Sequence, residues 1–186
     1  NPILCDECIS KIKKKLEIRE CFGIKVLFLS DYDDYFKSML MNYKEFGDVE
    51  LAPCFLSCFL PILKVLFWNS IFLPLPSSKA RVQKRGFSHL EEMLKASKFD
   101  FLEVFEQSEE LEQKNLSASS RLEKKKIHLI EEKLPLIQKK NLVLFDDVMT
   151  SGSTFHQSLS CLKDIPLNAI RGVILMDNYN HGKIGK

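Results

Sequence analysis

The sequence has very little net charge. Its 27 Lys and Arg residues are almost balanced by 25 Asp and Glu residues, which leaves a formal net charge of +2. Composition therefore gives no reason to expect nucleic-acid binding through the overall charge, and any such binding has to come from local basic patches. At 186 residues, 45% of them hydrophobic, the chain is long enough for one α/β domain with a small appendage.

The sequence also lacks the cysteine spacing of a disulfide-stabilised scaffold, although it has six cysteines. No secretory leader is recognisable, and we expect a reducing, cytoplasmic environment. Cys5 and Cys8 form one Cys-x-x-Cys pair, but a tetrahedral zinc site needs four ligands. Because the sequence begins with Asn1 rather than Met, we expect an upstream segment. If that segment carries a second cysteine pair, Cys5 and Cys8 are zinc ligands.

A long uninterrupted apolar run is absent as well. Residues 51–75 carry Lys64 as their only charge, and their length would allow a transmembrane helix of about 20 residues. Three prolines and the polar Asn69-Ser70 pair divide this stretch into shorter pieces. A buried helix that leads into a buried strand is the better interpretation, and we predict no membrane insertion.

Apolar segments of two kinds alternate along the chain. Short runs bounded by turn residues predict strands at 24–29, 70–75, 101–105, 141–145 and 169–176. Helical spacing predicts helices at 31–43, 49–67, 87–96, 119–126 and 152–162. We expect Ser30 or Asp31 to cap the first helix and the second helix to bend or break near Pro61. This alternation predicts an α/β fold in which a parallel sheet has helices on both faces.

The most informative functional pattern follows the predicted strand at 141–145. Asp146 and Asp147 come directly after it, and five small residues lead into the next helix: Thr150, Ser151, Gly152, Ser153 and Thr154. Ligands of open parallel sheets bind at the carboxyl ends of the strands. Hydroxyls and backbone amides at a helix N-terminus suit a phosphate monoester, whereas two carboxylates suit sugar hydroxyls and a chelated Mg²⁺. The pattern predicts a site for a sugar 5-phosphate.

The alternative interpretation of this segment is structural. Many strand-to-helix junctions carry small polar residues that only cap the helix, with acidic residues in the turn. Two acids after four apolar residues, followed by five small residues, form a more specific pattern than a helix cap, and we favour a ligand site. The segment is not a Walker loop, because the spaced glycines and the lysine of that motif are missing.

Residues 142–154 resemble the signature of phosphoribosyltransferases, and further blocks resemble the ComF family of competence-associated proteins with a type I phosphoribosyltransferase fold. These blocks are Cys5-Asp-Glu-Cys8, residues 43–52, Leu73-Pro-Leu-Pro with Arg81 and Arg85-Gly-Phe-Ser-His89, and residues 113–121. The resemblance runs over nearly the whole chain. Its most specific part is the Arg-Gly-Phe block together with the Asp-Asp loop.

The resemblance implies Mg²⁺-dependent binding of phosphoribosyl diphosphate. The loop at 76–81 would hold the diphosphate through Ser77, Ser78, Lys79 and Arg81, although a plain solvated loop is the alternative there. Arg85 would clamp phosphate through two parallel hydrogen bonds, and His89 suits either the site or simple packing.

Residues 106–127 resemble the flexible loop that closes over the reacting centre in this family. Arg121 would belong to it. The usual Arg-x-x-Asn of the family is here Arg121-Leu-Glu-Lys124, so the asparagine is missing. No general base is evident in the sequence either. The resemblance therefore supports binding of phosphoribosyl diphosphate more strongly than transfer of its ribosyl phosphate to a nucleophile.

The resemblance also divides the chain and suggests partners. Residues 1–20 would be the remnant of a zinc-finger-like segment, with Zn²⁺ in the full-length protein, 21–180 the phosphoribosyltransferase-like domain and 181–186 a tail. Family membership would imply natural transformation, with single-stranded DNA and other competence proteins as partners. The alternative function is a non-catalytic protein that handles single-stranded DNA. For Trp68 we expect a place in the core rather than a base-stacking role.

Overall fold

The computed structural model describes residues 4–109 and 125–179. Its strands are β1 (Lys14–Cys21), β2 (Ile24–Asp31), β3 (Ile71–Pro74), β4 (Phe105–Glu109), β5 (Lys125–Leu129), β6 (Asn141–Met149) and β7 (Ala169–Asp177). Its α-helices are α1 (Asp6–Lys11), α2 (Asp34–Glu45), α3 (Ala52–Ser57), α4 (Leu60–Leu66), α5 (Lys79–Arg85), α6 (His89–Ala96), α7 (Leu134–Ile137) and α8 (Ser153–Cys161). Short 3₁₀ helices at Val49–Leu51 and Glu131–Lys133 precede α3 and α7.

Five strands form the central sheet, in the order β1-β2-β7-β6-β3. Strands β2, β7, β6 and β3 are parallel to one another, and β1 pairs antiparallel with β2 at one edge. Strands β4 and β5 form a separate two-stranded antiparallel sheet. The mostly parallel central sheet confirms the predicted α/β class.

Both faces of the central sheet are covered. Leu142, Val143, Leu144 and Phe145 are each at most 1% exposed, although successive side chains of a strand point to opposite faces. Helix α8 lies against the sheet at Gly172, where an added Cβ would come within 2.7 Å of the ring of Phe155. These continuous apolar runs explain why β6 and β7 were recognisable in the sequence.

The first predicted helix begins later than expected, and its predicted cap is wrong. The side chain of Asp33, rather than that of Ser30 or Asp31, accepts a hydrogen bond from the backbone N–H of Phe36 at 2.8 Å. Ser30 is instead buried in β2, where its hydroxyl donates to the backbone oxygen of Leu175 at 2.6 Å.

The predicted helix at 49–67 is broken, as expected. Helices α3 and α4 are separated at Cys58 and Phe59, just before Pro61. Within the described part of the chain, no single helix is long and apolar enough to span a membrane. The segments Val49–Ser57 and Leu60–Leu66 would reach the necessary length only together, and they are bent by 69° relative to each other.

Two further sequence predictions are wrong. Residues 101–105 do not form a strand, because only Phe101 makes an isolated bridge, to Phe72, and the next strand begins at Phe105. The predicted helix at 119–126 lies mostly outside the described residues, and its last two residues belong to strand β5.

The N-terminal segment contributes directly to the sheet. Residues 14–20, which were assigned to a zinc-finger-like remnant, form most of strand β1. The remainder of that remnant contains the short helix α1, which begins beside Cys5. The predicted tail at 181–186 lies outside the described residues.

Candidate functional site

The two predicted acids lie within strand β6, which continues to Met149. Because β3, β6 and β7 are parallel, the segments that follow them share the carboxyl edge of the sheet. The backbone N–H of Leu75, just after β3, donates to the oxygen of Phe145 at 2.9 Å. Adjacent residues of a strand point to opposite faces, so the side chains of Asp146 and Asp147 lie on opposite faces of the sheet.

Asp147 is buried and held by two side chains from distant parts of the chain. Lys44, in the last turn of α2, forms an ion pair with its Oδ2 atom. His89, at the start of α6, lies with Nε2 at 2.9 Å from the same oxygen. Arg85 continues the network, because its Nη1 atom lies 2.7 Å from Nδ1 of His89 and its Nε donates to the backbone oxygen of Lys44 at 3.0 Å.

The protonation of this network follows from its surroundings. Burial alone would raise the pKa of Asp147, but the hydrogen bond from His89 and the charge of Lys44 outweigh it and hold that pKa well below its usual range. Burial lowers the pKa of His89 despite the neighbouring carboxylate. A neutral His89 that donates from Nε2 to Asp147 and accepts at Nδ1 from Arg85 satisfies both contacts.

Asp146 has a different environment. It is only partly buried, and its Oδ1 atom accepts a hydrogen bond from the backbone N–H of Asp147 at 2.9 Å. Burial, followed by the adjacent charge of Asp147, raises its pKa well above the usual range. A bound cation or a sugar hydroxyl at Asp146 would relieve this unfavourable state, whereas Asp147 is already satisfied by protein groups.

The predicted phosphate loop leads into α8. Thr150, Ser151 and Ser153 are exposed, and the backbone N–H of Ser153 donates to the hydroxyl of Ser151 at 3.3 Å. Gly152 has a φ of +71°, in the left-handed region that favours glycine. A Cβ at Gly152 would also lie 2.8 Å from the ring of Phe22, so the glycine permits a close approach of the β1–β2 turn.

The structure places the predicted diphosphate residues at the start of α5 rather than in an extended loop. Ser77 and Ser78 follow β3, and Ser78 is 7% exposed. Lys79 and Arg81 lie in the first turn of α5 and are exposed, and Lys79 forms an ion pair with Glu106 at 3.1 Å.

The other predicted cations have different positions. Arg85 faces Lys44 and His89 within the Asp147 network rather than a free site. Arg121 lies outside the described residues.

The cysteine pair is close but incomplete as a metal site. The backbone N–H of Cys8 donates to Sγ of Cys5 at 3.5 Å, and hydrogen bonds from Cys8 lower the pKa of Cys5. Among residues 4–109 and 125–179, no group of three or more His, Cys, Asp or Glu side chains is arranged to hold a metal ion. Zinc binding by Cys5 and Cys8 therefore stays a prediction that depends on upstream ligands. Mg²⁺ binding at Asp146 likewise stays a prediction.

Sequence reasoning missed Lys44 and left His89 undecided. Lys44 belongs to the block at 43–52 that carried part of the family resemblance, but no chemical role followed from its spacing. Its ion pair with Asp147 and the hydrogen bond of Tyr43 to the backbone oxygen of His89, 2.7 Å long, attach α2 to the site.

At the carboxyl edge of the parallel sheet the structure brings together an acidic pair, a small-residue loop and a helix N-terminus, which is the arrangement that the resemblance to phosphoribosyltransferases implies. The chain is similar over most of its length to two proteins named competence protein ComFC. It is 26% identical over 160 residues to the protein of Streptococcus pneumoniae (strain ATCC BAA-255 / R6), covering 86% of this chain and 69% of that protein. It is 26% identical over 164 residues to that of Bacillus subtilis (strain 168), covering 85% of this chain and 64% of that protein.

These similarities confirm the resemblance that the sequence motifs indicated. The chain spans slightly less than two thirds of the Bacillus subtilis relative.

A crystal structure of a hypoxanthine phosphoribosyltransferase from Staphylococcus aureus aligns with 92% of this chain and 72% of that chain, at 12% identity and a TM-score of 0.40. No protein-family model matches the sequence.

Proposed function

We propose that this protein binds phosphoribosyl diphosphate together with Mg²⁺ at the carboxyl edge of its sheet. The observation that carries the proposal is the end of β6, where a partly buried carboxylate of raised pKa stands beside exposed hydroxyls at the start of a helix. A helix N-terminus that presents hydroxyls and amides attracts a phosphate, and a carboxylate attracts Mg²⁺ or ribose hydroxyls.

The proposed roles follow from position. Thr150, Ser151, Gly152, Ser153 and Thr154 would hold the 5-phosphate, because they surround the N-terminus of α8. Asp146 would hold the ribose hydroxyls and the Mg²⁺ ion, with Asp147 as the second carboxylate of the pair. Ser77, Ser78, Lys79 and Arg81 would receive the diphosphate at the start of α5.

We further propose that the protein is cytoplasmic and takes part in natural transformation, because the ComFC relatives are named competence proteins. It is a proposal of ligand binding. Transfer of ribosyl phosphate would further require a nucleophile and a base, and the histidine of the Asp147 network is not available as that base. His89 is engaged on both ring nitrogens, by Arg85 and Asp147.

A calorimetric titration tests the binding proposal. Wild-type protein, Asp146→Asn and the exposed control Asp164→Asn are titrated with phosphoribosyl diphosphate in the presence of Mg²⁺ and again with EDTA. We expect Asp146→Asn and removal of Mg²⁺ each to weaken binding at least about tenfold, equivalent to about 1.4 kcal/mol. Equal affinities in Asp146→Asn and in wild type would refute the assignment, provided that both variants keep the wild-type unfolding midpoint.

A second candidate function, binding of single-stranded nucleic acid, is favoured by one surface. Trp68 is the only tryptophan of the chain and is 82% exposed, contrary to the sequence expectation that it lies in the core. It borders two grooves of about 170 and 350 Å³ at the amino edge of the sheet. An exposed indole between grooves is suited to stack on an unpaired base.

The grooves beside Trp68 also carry positive charge. Arg171 lines one groove, and Lys139 and Lys140 line the other. None of these three cations forms an ion pair within residues 4–109 and 125–179, and Asp100 is the one acid among the lining residues of either groove. Phosphates of a strand stacked on Trp68 can therefore reach free cations on either side.

The fluorescence of Trp68 reports this binding directly. Titration with oligothymidylate should quench the emission, and three phosphate contacts predict a slope of log K against log salt of about −2. Lys139→Ala and Lys140→Ala should each weaken binding and flatten that slope, whereas Lys37→Ala on α2 serves as a charge-matched control. Quenching that is independent of salt, or equal in all these variants, would refute this function without affecting the binding of phosphoribosyl diphosphate.

A further inference from the structure

A cavity of about 330 Å³ lies beside the start of α5, apart from the phosphate loop. One wall is the segment from Pro74 to Lys79, and the opposite wall is the beginning of β4 at Phe105, Glu106 and Gln107. Its floor comes from α5 and α6. The volume lies within the range of about 300–1,000 Å³ that is usual for small-molecule sites.

One polar side chain in this cavity has no protein partner. Gln107 is 9% exposed and lines the cavity, yet its amide forms no side-chain hydrogen bond with another residue of 4–109 or 125–179. The amide atoms of Gln107 are not fully shielded from solvent, so they are open to the cavity and can bond a ligand there. A ligand with hydrogen-bonding groups would supply what the protein does not.

A carboxyl pair lines the same cavity. Glu91 of α6 contacts Glu103 through a side-chain hydrogen bond, so that the two carboxyls share a proton. Burial, followed by this contact, raises the pKa of Glu91 to about 7, while Ser88 and Lys95 act in the opposite direction. Near neutral pH the carboxyl of Glu91 is therefore partly ionised.

The lysines near the carboxyl pair contact other groups, so the pair can accept a cationic ligand. Lys79 is engaged by Glu106 at the rim, at 3.1 Å. Lys133 donates to the backbone oxygen of Glu103 at 2.6 Å rather than to its carboxylate. Lys95 forms its short ion pair with Glu92, at 2.8 Å. None of these ammonium groups is paired with either carboxylate of Glu91 and Glu103.

The rest of the lining is mixed, and apolar side chains form part of it. Pro76, Phe105 and Ile130 contribute to the walls. The carboxyl pair can accept hydrogen bonds from an ammonium or amidinium head. The amide of Gln107 can bond a neighbouring N–H or carbonyl, and these apolar side chains can pack against an apolar ring. No residue of the phosphate loop lines this cavity.

We propose that this cavity binds a small organic cation, with an amidinium or amine head at Glu91 and Glu103 and an apolar body against Phe105. The site shares Ser77 and Lys79 with the segment assigned to the diphosphate. It does not depend on the assignment of Asp146 or of the phosphate loop, and it goes beyond the binding of phosphoribosyl diphosphate.

The test compares benzamidine with benzamide, two probes of almost the same shape that differ in charge. Binding is followed by calorimetry and by chemical-shift changes of the Gln107 side-chain amide, at pH 6 and pH 8 and without phosphoribosyl diphosphate. We expect benzamidine to bind at least tenfold more tightly than benzamide at pH 8. Because the carboxyl pair loses its shared proton near pH 7, benzamidine affinity should rise by about tenfold from pH 6 to pH 8.

Variants separate this site from nonspecific attraction. Glu91→Gln and Gln107→Leu should each lower benzamidine affinity at least fivefold, whereas Glu92→Gln, one residue further along α6, should leave it unchanged. Circular dichroism establishes whether each variant is folded, and the amide shifts of wild-type protein provide a readout that needs no variant. Absence of benzamidine binding to wild type, equal affinity for both probes, or equal loss in Glu92→Gln would overturn the proposal.

Discussion

Lys44 in the last turn of α2 and Asp147 near the carboxyl end of β6 form an ion pair, and both side chains are largely shielded from water. Asp147 also accepts from His89 at 2.9 Å, so helices α2 and α6 meet at one carboxylate. The free energy of this arrangement differs from that of a surface ion pair, because removing one partner leaves a buried charge without compensation.

We predict that Lys44→Met lowers the free energy of unfolding by about 3 kcal/mol, because the carboxylate of Asp147 then keeps only His89 as a side-chain partner. Urea denaturation of Lys44→Met, Asp147→Asn and the double variant measures this. The double variant should lose at least about 1 kcal/mol less than the sum of the single variants. Strict additivity would show that the two residues do not interact.

His89 should remain neutral below the pH at which histidine usually titrates, because burial lowers its pKa. Long-range nitrogen–proton NMR spectra should show one tautomer, protonated at Nε2, at pH 6.5 and above, and a titration midpoint below 6.5. The stability contribution of the neutral ring is complete above the usual histidine pKa of 6.5 and is lost as the pH falls from there to the lowered pKa of His89. A titration of His89 with a midpoint at or above 6.5 would contradict this assignment.

Gly152→Ala should be more harmful than Gly47→Ala, although both glycines have a φ near +70°, at +71° and +72°. Nothing lies within 4 Å of a Cβ at Gly47, whereas at Gly152 the ring of Phe22 lies 2.8 Å away. We expect a loss of about 1 kcal/mol for Gly47→Ala and roughly 2–3 kcal/mol for Gly152→Ala. Chemical denaturation compares the two, and Phe22→Ala in the Gly152→Ala background should recover part of the difference.

The carboxyl of Glu91 should make the protein less stable at alkaline pH. Its pKa in the folded protein is raised to about 7 from a reference value of 4.5. The protonated form is therefore favoured by folding, and this contribution is complete below pH 4.5 and lost as the pH rises through 7. The melting temperature of wild type should fall between pH 6 and pH 8.5, and Glu91→Gln should reduce that fall. The same fall in both proteins would count against the shared proton.

Features with a local signature were predictable from the sequence. Strand β6 and the loop at 150–154 follow from four apolar residues, two acids and a run of small residues. Strand β1 was not predicted, because residues 14–20 were assigned to a zinc-finger-like remnant and their Lys-Leu-Glu-Ile-Arg-Glu alternation belongs to an antiparallel edge strand. Its exposed face carries Leu16 and Ile18 rather than only polar residues.

Features that depend on the tertiary fold were not predictable. The pairing of Lys44 with Asp147 joins residues from distant parts of the chain, and no spacing rule relates them. Trp68 was expected in the core because it ends an apolar stretch, but α4 ends before it and the indole faces solvent. The opposite orientations of Asp146 and Asp147 became evident only once both residues were found inside a strand rather than in a turn.

Strand β6 connects the two ends of the protein that are proposed to bind ligands. Asn141 at its beginning lines both grooves beside Trp68, and Asp146 and the phosphate loop follow towards its end. Eight residue steps of about 3.3 Å place Asn141 and Met149 about 26 Å apart. One small ligand cannot span that distance, so the two titrations are thermodynamically separable within one sample. Saturation with phosphoribosyl diphosphate should leave the Trp68 emission unchanged, and each measurement then serves as the internal control of the other.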